Sequence, residues 1–115
     1  LRSSSAASDV YKRQLQYNKT GPFHRDYNSA ITAFNNFLDS YPGSVFKEDA
    51  LFYKFDSAYK LAINSVERKK DERTEKALKY YRGLIRNFPQ TKYINELSLM
   101  HEELQNIKNN LISKS

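Results

Sequence analysis

Cysteine is absent from the sequence, which excludes disulfide bridges, thiolate chemistry and Cys-ligated zinc, and removes the usual clue to redox compartment. Histidine is nearly absent. His24 and His101 stand far apart without ligand-spaced partners, and "HEELQ" at 101–105 has Gln105 where the zinc motif H-E-x-x-H requires its second His. The three glycines, Gly21, Gly43 and Gly83, are isolated, so there is no Gly-rich phosphate loop. No apolar run approaches the ~20 residues of a membrane-spanning helix. Neighbouring acids such as Glu102 and Glu103, or Asp71 and Glu72, point to different sides of a helix and make no acid–base pair. The sequence therefore predicts no catalytic residue, no metal site and no cofactor.

What is present is material for a core. Hydrophobic residues make up 39% of the 115 residues, with nine Tyr and seven Phe, enough for one compact domain or a short stack of repeats. The first fourteen residues, "LRSSSAASDVYKRQ", are Ser-rich with no apolar block and fit neither a signal peptide nor a packing helix. They resemble translated sequencing-adapter DNA and are read as a non-native or disordered leader, with 15–115 as the folded domain and native sequence missing upstream. Three bases and one acid of the +6 formal charge lie in that leader. The aromatics of the remainder fall on a buried stripe rather than beside Lys and Arg. The clustered basic face of a nucleic-acid binder is therefore not expected.

The main signal is a repetition. "AITAFNNFLDSYPGSVF" from Ala30 returns as "ALKYYRGLIRNFPQTKY" from Ala77, a shift of 47 residues. Ala30 falls on Ala77, Ile31 on Leu78, Phe34 on Tyr81, Phe37 on Leu84, Leu38 on Ile85, Tyr41 on Phe88, Pro42 on Pro89, Ser44 on Thr91 and Phe46 on Tyr93. Nine gapless matches mark an internal repeat. Their apolar members follow the spacing of one helical face. Each helix ends where proline bars the αR conformation to the residue before it, and Ser44 or Thr91 is placed to cap the next helix.

Four helices follow, over 26–41, 44–66, 71–88 and 91–111, paired as repeat copies near 26–66 and 71–111. The second has Phe52, Phe55, Tyr59, Ala62, Ile63 and Val66 on one stripe and Ala50, Leu51, Ala58 and Leu61 on other sides, so it is expected between neighbours. The last has a narrower seam, Tyr93, Leu97, Met100, Leu104, Ile107 and Leu111, suited to a single neighbour. The fold class is all-α, a short α-solenoid of helix–turn–helix repeats.

Alanine at the first position, an aromatic four later and proline twelve later resemble the second helix of a tetratricopeptide repeat. Phe37 and Leu84 replace the usual small third residue, and the period of 47 exceeds the family's ~34. The linker "YKLAINSVERKKDER" running into "FPQTKY" narrows the resemblance to the BamD (YfiO) family of the outer-membrane β-barrel assembly machinery, over roughly residues 23–107. That resemblance implies a lipoprotein on the periplasmic face of the outer membrane, of which this chain covers the C-terminal repeats. The family's lipidated Cys is not in the sequence, so the fragment alone is expected to be soluble. Implied partners are BamA POTRA domains, other assembly-machinery lipoproteins and unfolded outer membrane proteins.

A generic tetratricopeptide adaptor outside the outer membrane is the alternative, separated only by that linker. Arg68, Lys69, Lys70 and Arg73 in "ERKKDER" are either a solvated helix end or a docking surface for acidic partners. Tyr59 and Asn64 are candidates for the concave face, although helical spacing favours Tyr59 as core. The stripe Lys79, Arg82 and Arg86 opposes the apolar face of its helix and reads first as solubility.

Overall fold

A computed structural model of the chain describes residues 26–114; the leader at 1–14 lies outside the described residues. Four helices account for the architecture: α1 (Tyr27–Ser40), α2 (Lys47–Ile63), α3 (Glu67–Asn87) and α4 (Ile94–Lys114), with no strand among the described residues. The all-α, tetratricopeptide-like reading is correct.

Helix α1 starts at Asp26, whose carboxylate accepts from the Ser29 N–H (3.1 Å) and the Ser29 hydroxyl (2.7 Å). The first satisfies a backbone donor that a helix N-terminus leaves open, and the two together hold the Asp26 carboxyl below its usual range. At its other end Tyr41 adopts φ −133°, ψ 61°, and the matching residue after α3, Phe88, adopts φ −136°, ψ 76°.

The turns themselves repeat bond for bond. Tyr41 N–H donates to Phe37 O (2.9 Å) as Phe88 does to Leu84 O (2.8 Å), and Ser44 to Tyr41 O (3.0 Å) as Thr91 to Phe88 O (3.1 Å). Lys47 to Ser44 O (3.1 Å) matches Ile94 to Thr91 O (3.2 Å), and Ala50 to Phe46 O matches Leu97 to Tyr93 O, both 2.9 Å. The repetition in sequence is thus a repetition of backbone geometry.

The Ser and Thr act one step earlier than expected. Ser44 Oγ accepts the Phe46 N–H (3.0 Å) and Thr91 Oγ1 the Tyr93 N–H (3.3 Å), so each stabilises the turn, and the helices begin at Lys47 and Ile94. Helix α3 starts at Glu67 rather than at 71. No apolar residue lies between Val66 and Ala77, so periodicity carries no signal there, while Glu, Arg and Lys favour helix on propensity. Val66 falls in the α2–α3 turn, extended (φ −65°, ψ 154°) and 60% exposed, instead of continuing the stripe of α2.

Helix α2 packs against both α1 and α3 and also touches α4. This explains its apolar residues on several sides: Ala50, Phe55 and Ala62 have no exposed surface. Ala58, Ala62 and Ala77 are buried at the α2–α3 contact, where small side chains let helices approach closely. Full burial of a side chain such as Phe55 stabilises the fold by about 1.5–3 kcal/mol. Against α3 lies α4, with Leu97 and Leu104 fully buried and Leu99 on its outer side 71% exposed. Tyr81 is only half-buried, its ring stacked on His101 from α4 (4.3 Å between centroids).

A polar contact joins the repeats at the N-terminal ends of α2 and α4. Glu48 Oε2 accepts from Thr91 Oγ1 (2.5 Å) and the Lys92 N–H (2.9 Å). Asp49 accepts from the Tyr93 hydroxyl and pairs with Lys92 Nζ at 2.9 Å, which holds the Lys92 ammonium above its ordinary range. The Tyr93 ring lies flat on Phe52, 3.9 Å away and inclined by 4°.

Candidate functional site

The turn from α2 to α3 is built by short-range hydrogen bonds. Asn64 Nδ2 donates to Lys60 O (2.8 Å), the Ser65 hydroxyl donates to Leu61 O, and Arg73 Nη1 donates to Ser65 Oγ (2.6 Å). Arg73 and Asn64 are thereby engaged in closing the turn. Arg73 is half-buried there, whereas Arg68 and Lys69 are exposed and Lys70 is half-buried.

Arg68, Lys69 and Lys70 occupy the first turn of α3 together with one acid, Glu67. A helix N-terminus carries partial positive charge from its open N–H groups, so each cation there lowers helix stability. Arg68 and Lys69 project from this end of the helix, where its dipole disfavours positive charge.

Tyr59 lies elsewhere. It is half-buried beside Phe55 (6.3 Å between centroids), and its hydroxyl donates to the Glu103 carboxylate on α4. Burial, then the hydrogen bond to Glu103, pushes the phenol up to about 12. It ties α2 to α4 rather than projecting from a surface. The structure therefore brings Asn64 and Arg73 together at the turn, leaves Arg68 and Lys69 projecting beside it, and places Tyr59 apart.

The basic stripe of Lys79, Arg82 and Arg86 continues across to α2. Lys54 of α2 lies over the Tyr80 ring of α3 at 4.2 Å, with Lys76 Nζ at 6.0 Å. Burial lowers the Lys54 pKa; Asp39 opposes that shift and Lys79 and Lys76 add to it. Lys76, Lys79, Arg82 and Arg86 are exposed along α3, so this side of the α2–α3 pair is positive. The spacing of Lys76 and Tyr80 was readable from one helix, but Lys54 comes from another.

The repeat-signature positions lie in the interior or at the turns. Ala30, Phe34, Phe37, Ala77 and Leu84 are buried, Tyr41, Tyr81 and Phe88 are half-buried, and Pro42 and Pro89 are exposed. Among the described residues no three His, Asp or Glu side chains converge in a way that could hold a metal ion. Among them also, no helix is long and apolar enough to cross a membrane. The arrangement offers charged helix faces around a packed stack.

Comparison with protein families matches residues 10–114 to YfiO, described as an outer membrane lipoprotein. Comparison with curated proteins returns no match.

Proposed function

The chain belongs to the YfiO family of outer membrane lipoproteins, and from that premise we propose that it is a non-catalytic scaffold of the outer-membrane β-barrel assembly machinery. In this reading its repeats bind the POTRA domains of BamA at the periplasmic face of the outer membrane. It works there beside other lipoproteins of the machinery and assists the insertion of unfolded outer membrane proteins. The mechanism is binding: stacked helices hold charged surfaces in fixed relation, and no bond is made or broken.

The observation that carries the reading is the cationic first turn of α3, with Arg68 and Lys69 exposed. Cations that oppose a helix dipole lower stability, and complementary charges at an interface raise association rates and fix orientation. An acidic partner surface is the natural counterpart. Asn64 and Arg73 support this surface by bracing the turn beneath it.

The test is surface plasmon resonance between the chain and the BamA POTRA domains at two salt concentrations. Arg68→Ala and Lys69→Ala are expected to slow association and flatten its salt dependence. Binding with unchanged rate and salt dependence in both variants would remove this surface from the interface, and no binding at low salt would reject the POTRA assignment.

A further inference from the structure

The 47-residue shift relates α2 to α4, and therefore relates the surfaces that the two helices turn toward whatever packs next. On α2 that surface is filled. Glu48, Asp49 and Phe52 hold the turn Thr91–Lys92–Tyr93 through two hydrogen bonds to Glu48, an ion pair to Asp49 and a ring stacked on Phe52.

On α4 the same positions are Asn95, Glu96 and Leu99. Asn95 and Glu96 are exposed and Leu99 is 71% exposed. Further along, the equivalents of Phe55, Ala58 and Ala62 are Glu102, Gln105 and Asn109, so the rest of the face offers no apolar layer to a full helix. What remains is a small receptor over the first two turns of α4, and α2 shows which chemistry fills it.

We propose that Asn95, Glu96 and Leu99 dock a helix-entry turn of a partner protein, made of a hydroxyl residue, a Lys or Arg, and an aromatic residue in succession. The Asn95 side-chain oxygen accepts from the hydroxyl, as Glu48 accepts from Thr91. Glu96 pairs with the cation, as Asp49 pairs with Lys92. Leu99 covers the aromatic ring, as Phe52 covers Tyr93. A second copy of this chain fits less well, because its 91–93 turn is already engaged on its own α2 and its 44–46 turn has Val45 where the cation stands. The inference goes beyond the scaffold reading: it concerns a different face from Arg68 and Lys69 and does not need BamA.

The test titrates the ¹⁵N-labelled 115-residue chain with a head-to-tail cyclised peptide of the sequence FPQTKYI, residues 88–94, and follows amide shifts. Saturable shifts at residues 94–99 are expected. Glu96→Lys should weaken binding ~1.5- to 5-fold, the range of an exposed ion pair, and a peptide with Glu in place of Lys should restore it. Leu99→Ser, at an exposed position, should weaken binding without altering the helical circular dichroism. Shifts confined to residues 48–52, no saturable shifts at 94–99, or indifference to Glu96→Lys would each overturn the proposal. Concentration-dependent shifts at both 94–99 and 44–46 without peptide would assign the face to a second copy, and overturn it too.

Discussion

Replacing Lys69 by Glu separates what the fold wants from what a partner would want. Val66 is the N-cap of α3, so Lys69 is its third helical residue, with its N–H on Val66 O at 3.0 Å. A carboxylate at that position can reach back to the N-cap N–H, and it reverses an unfavourable contact with the helix dipole, a change of roughly 0.3–1 kcal/mol. It also turns the like-charged pair Lys69 and Arg73, one helical turn apart, into an acid preceding a base, but sets that acid against Glu72 three residues on, so these two side-chain terms, each about 0.2–0.5 kcal/mol per pair, largely cancel.

What remains is the dipole term, roughly 0.3–1 kcal/mol of added stability, or about 1–8 °C in Tm for a domain of 60–100 residues. Thermal melts followed by circular dichroism in low salt measure it. The increment should shrink in high salt, where screening acts within about 3 Å at 1 M. In the binding assay the same variant should associate more slowly with POTRA domains. A Tm that is unchanged or lower in low salt would refute the premise that the cations oppose folding, and with it the main support for a docking role.

Two further predictions test the interior. Thr74 is buried to 1% exposure and its hydroxyl has no hydrogen-bond partner among the described residues, so Thr74→Val should stabilise by about 1 kcal/mol in urea unfolding, since an unsatisfied buried hydroxyl costs about that or more; a loss would show that the hydroxyl is satisfied. The Tyr59 phenol is pushed up to about 12, from an ordinary phenol value of about 10. The folded state therefore holds a proton that the unfolded chain releases, and stability is full below pH 10 and falls as pH rises toward 12. Tyr59→Phe should flatten that decline relative to the parent, and parallel curves would show that Tyr59 contributes nothing to it.

Much of the fold was legible because the chain spells each layer twice. The stripes from Ala30 and Ala77, the proline stops and the sandwiched α2 are all consequences of burial, and burial imposes periodicity. Two kinds of feature escaped. The start of α3 lies in a fully polar run, where propensity acts without a pattern. The polar contacts of Glu48, Asp49, Lys54 and Tyr59 join helices whose relative placement no single-helix spacing encodes. The cations of the α3 first turn were visible as a charge run, but their opposition to the helix dipole depended on knowing that the helix begins at Glu67.

The bonds from Glu48 and Asp49 to the 91–93 turn have a mechanical consequence. Ridges packed into grooves select a class of crossing angle but leave a scatter of about 15–20° within it. Hydrogen bonds constrain direction, and these join the N-terminal ends of α2 and α4. They act as a guy-rope, setting the angle rather than the distance. Small rotations per repeat sum to the curvature of a solenoid, so substitutions at Glu48 or Asp49 should re-aim the next layer as well as loosen it.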